Sequence, residues 1–173
     1  MELETKRLKL RYLSLEDISD FFAYRSDREA NKYQGWIPKN IQDARHFIEY
    51  KIHSIPNIPD TWIQLAVTHR DDNKLIGDIG VYFMPENENE VKLGYTLASA
   101  YQGFGYAREM IEALIDHLYH KFGKTRFIAL IAPDNSPSIR LVKKLGFFQK
   151  DIELEPEHCE EDYPEDLLFI LEK

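Results

Sequence analysis

The 173-residue chain is 43% hydrophobic, 30% charged and 13% aromatic, which gives a single domain over 1–173 ample core material and excludes a disordered chain. No apolar run approaches the ~20 residues a bilayer span needs. The first seven residues carry charges where a signal peptide would be apolar, and the lone Cys159 can form neither an internal disulfide nor a zinc cluster, so the expectation is a cytoplasmic, metal-independent globular protein.

The net charge of −8 is uneven. Residues 151–173 hold ten acids against the single base Lys173, whereas residues 1–150 are close to neutral. A neutral body with an acidic end lacks the basic face that nucleic-acid binding requires. The acidic end either keeps the surface soluble or draws in cationic substrates.

In chain order, alternation in Arg7-Leu8-Lys9-Leu10-Arg11-Tyr12-Leu13 predicts a first strand. Ser14 is placed to cap a helix carrying Ile18, Phe21 and Phe22, with Leu13 and Ile18 as a hydrophobic staple. The loop Tyr33-Gln34-Gly35-Trp36 leads to a second helix from about Asn40, with Ile41, Ala44, Phe47, Ile48 and Ile52 at helical spacing. The period then changes. Ile63, Leu65 and Val67, the turn Asp71-Asp72-Asn73-Lys74, and Leu75, Ile79, Val81 and Phe83 make a hairpin. A second turn at residues 85–89 leads into a third antiparallel strand bearing Val91, Leu93, Tyr95 and Leu97.

A long helix follows, about residues 104–122, with Ala107, Met110, Ile111, Leu114 and Leu118 as its stripe and Gly123 past its end. Residues 126–132 are apolar almost throughout, as a strand covered on both faces must be. Strand, helix and buried strand form a βαβ unit, so these two strands run parallel. Ser136 as cap and Pro137 as first helical residue open a last helix that stops at Gly146, and two closing strands are expected near 147–152 and 167–171. The fold class is α+β: a mixed, mostly antiparallel sheet of six to seven strands with about four helices.

Two segments carry chemistry. Tyr101-Gln102-Gly103-Phe104-Gly105-Tyr106-Ala107 lies at a strand-to-helix junction, where glycines let the backbone approach a ligand and the helix start favours a phosphate. Glycines there also serve as plain turn devices. The second segment, Asn135-Ser136-Pro137-Ser138 through Leu145-Gly146-Phe147, follows the buried strand. Together the two resemble the GNAT family of acyl-CoA-dependent N-acetyltransferases, in the branch similar to ribosomal-protein N-terminal serine/alanine acetyltransferases. Gln102, Gly105 and Ala107 match the family's pyrophosphate loop; Asn135, Ser138, Leu145, Gly146 and Phe147 match its later motif. Thr5-x-Arg7-Leu8 and Gly77-x-Ile79-Gly80 extend the resemblance over essentially the whole chain.

The resemblance implies acetyl-CoA as cosubstrate and no metal. The strand ending at Leu97 and the buried parallel strand would splay, with backbone groups near Leu97 and Ala98 pairing with pantetheine. Gln102, Gly103, Phe104, Gly105, Tyr106 and Ala107 would hold the pyrophosphate, and Asn135 the pantetheine chain. Arg108, Arg140, Lys143 and Lys144 either meet the phosphates or, as is commoner for such spacing, form a solvated face. A backbone N–H at a bulge within residues 93–96 would face the oxyanion.

Where many relatives carry a tyrosine acid, this chain has Val142; Ser138 is the implied acid, or else a first-turn hydroxyl bonded to backbone. Lys92 stands where relatives often carry a glutamate base, which leaves Glu90, two residues earlier, as the substitute. Tyr33 and Trp36 either wall the acceptor site or pack into the core. The acceptor implied is an amine, with the acidic C-terminal segment favouring a cationic one; a non-catalytic CoA-binding module is the alternative function, and a homodimer is left open.

Overall fold

Alternating and continuous apolar runs assemble into one eight-stranded sheet in the computed structural model, which describes residues 1–51, 54–151, 158 and 165–173. In chain order the elements are β1 (Leu3–Glu4), β2 (Leu8–Tyr12), α1 (Ile18–Arg25), α2 (Ile41–Lys51), β3 (Thr61–His69), β4 (Leu75–Phe83), β5 (Glu90–Leu97), α3 (Tyr106–Phe122), β6 (Arg126–Ile131), α4 (Ser136–Lys144), β7 (Phe148–Lys150) and β8 (Leu167–Glu172). The spatial order is β1-β2-β3-β4-β5-β6-β8-β7. Every neighbouring pair is antiparallel except β5–β6, the parallel pair that the βαβ pattern requires.

Eight strands replace the expected six to seven because Leu3–Glu4 pairs with β2, a bridge too short to show any periodicity. Ile52, Cys159 and most of the acidic C-terminal segment, including Glu160, Glu161 and Asp162, lie outside the described residues. Among the described residues, no helix is long and apolar enough to cross a membrane.

Helices cover both faces of the sheet. Met110, Leu114 and Leu118 of α3 are fully buried and share a core with Leu8, Leu10, Leu65, Val67, Phe127 and Phe169. Each such aliphatic side chain contributes roughly 1.5–3 kcal/mol on removal from water. On the other face Ile18, Phe21 and Tyr24 of α1 and Ala44 and Ile48 of α2 pack with Leu13, Ala66 and Leu75. The helix expected from Ser14 begins as a 3-10 turn at Leu15–Asp17. Asp17 ends that turn by accepting bonds from the Ser14 N–H (2.7 Å) and from both Nη atoms of Arg11 (2.7 Å each). Burial opposes ionisation of Asp17, but these bonds outweigh it and hold its carboxyl below the usual range.

The second face also encloses a charge. Asp78 of β4 is fully buried. It accepts from the Tyr24 hydroxyl (2.7 Å), from Arg25 Nε (2.9 Å) and Nη2 (2.5 Å), and from the Gln64 amide. Removing one partner strands the other's charge in the core. Asp78→Ala is therefore expected to lower unfolding free energy by about 3–5 kcal/mol in urea titration. Asp72→Ala, on the exposed turn, should change it by less than about 0.5 kcal/mol.

Candidate functional site

The site begins where the sheet opens. β5 and β6 pair only at Glu90↔Arg126, Val91↔Phe127 and Lys92↔Ile128, and then diverge while β5 runs on to Leu97 and β6 to Ile131. The other edge of β5 stays in unbroken register with β4, from Phe83↔Val91 to Gly77↔Leu97. The bulge expected within residues 93–96 is thus absent from that ladder; the gap is made by divergence of β5 from β6. On the open edge, the Tyr95 carbonyl accepts from Gln34 Nε2 (3.2 Å) and the Leu97 carbonyl from Gln102 Nε2 (3.0 Å). Ala98, expected to pair with a ligand, already donates its N–H to the Ile76 carbonyl (2.9 Å).

A cleft of about 600 Å³ occupies this opening, walled by β5, the starts of α3 and α4, and residues 29–34. At its outer end Gly103 and Gly105 have φ of 84° and 82°, the left-handed region that side chains disfavour. Gly105 is the residue before α3, which moves the helix start from Phe104 to Tyr106. The first helical bond of α3 runs from the Glu109 N–H to the Gly105 carbonyl, so the N–H groups of Tyr106, Ala107 and Arg108 have no carbonyl within the helix.

Gln102, Gly103, Gly105, Tyr106 and Ala107 line the cleft, with the cations Arg108, Arg140 and Lys144 beside them. Lys143 turns away, its ammonium 5.8 Å from the Phe169 ring, so the cationic row expected as a solvated face is divided between cleft and core edge. Phe104 is 63% exposed and is not among the lining residues. Backbone donors at a helix start with nearby cations fit a phosphate-bearing ligand.

At the inner end, Asn135 caps α4, its side chain accepting the Ser138 N–H at 3.3 Å. The cap is thus one residue earlier than the Ser136 expected. Ser138's hydroxyl accepts a bond from the Tyr95 hydroxyl at 3.0 Å rather than being spent on backbone. Burial raises the Tyr95 phenol and the Ser138 bond pulls the other way; the balance is upward, which keeps Tyr95 a neutral donor at physiological pH. Thr96 also faces the cleft, and its buried hydroxyl has no hydrogen-bond partner among the described residues.

Tyr33 lines the mouth and donates to the Asp134 carbonyl at 3.1 Å, bridging the two walls. Trp36 does not reach the cleft; it stacks on Phe47 with centroids 4.8 Å apart. Tyr95, Thr96 and Gln34 were not singled out by the sequence as chemical groups. The partners that bring Tyr95 and Gln34 to the cleft, Ser138 and the Tyr95 carbonyl, lie 43 and 61 positions away, and the Thr96 hydroxyl has none among the described residues, so no local pattern marks them.

Glu90 requires a correction. It starts β5, five residues before Tyr95, a separation of roughly 17 Å along an extended strand. It is buried, ion-paired with Arg126 and 3.0 Å from His158 Nε2, and is not among the lining residues. Burial would raise its carboxyl, but the bonds from His158 and Arg126 outweigh that and hold it below the usual range. A carboxylate so engaged at the far end of the strand serves the fold.

Residues 7–148 match the family model described as the acetyltransferase (GNAT) domain. The uncharacterized N-acetyltransferase YnaD of Bacillus subtilis (strain 168) is 32% identical over 171 residues, covering 94% of this chain and 95% of that protein. A GNAT-family acetyltransferase structure from Bacillus anthracis superposes with a TM-score of 0.82 at 22% identity, over 99% of this chain and 98% of the other. The microcin C7 self-immunity acetyltransferase MccE, solved with acetyl-CoA and AMP, has a TM-score of 0.80 at 19% identity, over 98% of this chain and 94% of the other. The chain belongs to the GNAT acetyltransferase family.

A carboxyl held below its unfolded value stabilises the fold above about pH 4.5, and that contribution is lost as pH falls through the folded value. Glu90→Gln should therefore lower the melting temperature at pH 7 and converge with wild type in acid, with acetyl-CoA affinity unchanged. Calorimetric melts from pH 3 to 7, with acetyl-CoA titration at pH 7, measure both.

Proposed function

We propose that residues 1–173 form one N-acetyltransferase domain that moves an acetyl group from acetyl-CoA directly to an amine in a ternary complex. The observation that carries this reading is the β5–β6 gap, with an anion-binding helix start at one end and the Tyr95–Ser138 hydroxyl pair at the other. Gly103, Gly105, Tyr106 and Ala107, with Arg108, Arg140 and Lys144, would hold the pyrophosphate and the further phosphate of CoA. Asn135 and the β5 edge would hold the pantetheine arm.

When bound, acetyl-CoA supplies an activated thioester carbonyl and a thiolate leaving group. The chain's own residues do the rest. Tyr95 donates to Ser138, which leaves the Ser138 proton free to point at the departing sulfur. Ser138 is thereby suited to relay a proton, giving its own to the thiolate as the C–S bond breaks and being restored by the proton that the amine nitrogen sheds once the C–N bond has formed, a role that Val142, 2% exposed in the core, cannot fill. N–H groups of residues 93–96 that face the gap supply donors for charge developing on the carbonyl oxygen. Walls at the gap hold the amine beside the carbonyl and exclude competing water.

Ser138→Ala is expected to lower kcat by about 10²-fold with the acetyl-CoA KM within about threefold. Tyr95→Phe should reproduce part of that loss. A screen of CoA release over peptides, polyamines and aminoglycosides tests the activity itself. Thermal stabilisation by acetyl-CoA without thiol release from any amine would instead favour a CoA-binding module.

A cationic acceptor is favoured by the acidic excess of residues 151–173. Attraction of that kind acts on kcat/KM and weakens as salt screens it. Replacing Glu160, Glu161 and Asp162 by their amides should lower kcat/KM for the best amine and flatten its salt dependence, measured from 20 to 500 mM salt. Unchanged values end the steering reading.

A further inference from the structure

The opening segment carries a bonded group that acetyl transfer, as derived above, does not use. Glu109 of α3 accepts from the Thr5 hydroxyl (2.6 Å) and the Arg7 N–H (2.8 Å) on one oxygen, and from Arg7 Nε (2.7 Å) on the other. The same guanidinium lies 4.4 Å from the centre of the Tyr106 ring, and its Nη1 donates to the Phe104 carbonyl at 2.9 Å. The segment is tied down next door, where fully buried Leu8 donates its N–H to Thr5 Oγ1 at 2.8 Å. Burial opposes the charge on Glu109, but the bonds from Thr5 and Arg7 outweigh it and hold its carboxyl below the usual range, so Glu109 is ionised at neutral pH.

Arg7 is not among the residues lining the cleft; it lies behind the loop. Peptide planarity makes that placement consequential. In a trans peptide the C=O and the following N–H point in opposite directions, and the chain has no cis bond. Fixing the Phe104 carbonyl toward Arg7 therefore turns the Gly105 N–H the other way, to the side on which Gly103, Gly105 and Tyr106 line the cleft. This peptide unit joins Phe104 to Gly105, whose φ of 82° lies where glycine pays little for either sign, so on that side the backbone alone does not fix it.

We propose that Arg7, clamped by Glu109, is a positioning residue that orients the Gly105 N–H toward the diphosphate of the cosubstrate and so sets its affinity. This rests on the reading that the loop receives the phosphates of an acyl-CoA. The fork matters: Nε engages Glu109 while Nη1 engages Phe104, a geometry that a single ammonium cannot reproduce.

The test compares two thioesters, acetyl-CoA and S-acetylpantetheine, which lacks the diphosphate. Arg7→Met keeps an apolar stem over Tyr106 and removes the fork. It should weaken calorimetric acetyl-CoA binding about tenfold, the worth of one charge-assisted hydrogen bond. Turnover of S-acetylpantetheine, read as kcat/KM by thiol release, should stay within about twofold. Equal losses on both thioesters, or unchanged acetyl-CoA affinity in a folded variant, would overturn the assignment. Should Arg7→Met fail to fold, Glu109→Gln, which keeps the shape and removes the clamp's charge, carries the same comparison with the same selective loss expected. Wild-type protein that binds no acetyl-CoA would remove the cosubstrate reading itself, a result distinct from any pattern among the variants.

Discussion

Asp78 is a fully buried acid at the centre of the sheet, and its presence there dictates much of what surrounds it. An uncompensated charge at that depth would cost several kcal/mol, so α1 must dock with Arg25 and Tyr24 directed at it. The consequence reaches the cleft. Arg25 Nη1 also donates to Gln34 Oε1 at 3.4 Å, and the amide of Gln34 caps the Tyr95 carbonyl. A buried ion pair thereby locates the residues 29–34 that form one wall of the opening. The neighbour of Asp78 across the ladder, Thr96, lines the cleft, and its buried hydroxyl has no partner among the described residues.

The two helical layers differ in chemistry. α3 shares an apolar core with the sheet, whereas α1 brings charge and hydroxyl as well. The interrupted pairing between β5 and β6 is where the two regimes meet, and the cleft draws residues from both.

Elements with a period were legible because burial of one face imposes it: the β3–β4 hairpin, the stripe of α3 and the apolar β6 all stand where their spacing placed them. Asn73, at φ 56°, marks the turn that Asp71-Asp72-Asn73-Lys74 announced. Boundaries set by backbone conformation were less legible. Gly105 begins α3 through a positive φ, without the side-chain oxygen that usually signals a helix start. At α4 two good caps stand side by side, and Asn135 prevails over Ser136. Within the candidate site, Gln102, Gly103, Gly105 and Asn135, which local motifs single out, line the cleft, and Phe104 does not. Glu90 shows the limit of such reasoning. Period-two alternation reports which face a residue shares, yet says nothing of how far along the strand it sits. The pairings that assign Glu90 to the fold and Tyr95 to Ser138 span 36 and 43 positions, and only the assembled sheet brings them together.

The two glutamine amides on the open edge of β5 have a thermodynamic consequence. An interior strand edge with bare carbonyls would invite pairing with any extended chain, and Gln34 and Gln102 occupy those acceptors instead. A guest that enters the gap as an additional strand must first displace these amides, exchanging one amide–carbonyl bond for another of nearly equal strength. The edge then enforces alignment of the guest while contributing little net free energy, so the driving force for entry falls to the charged outer end and to the apolar surface covered along the way.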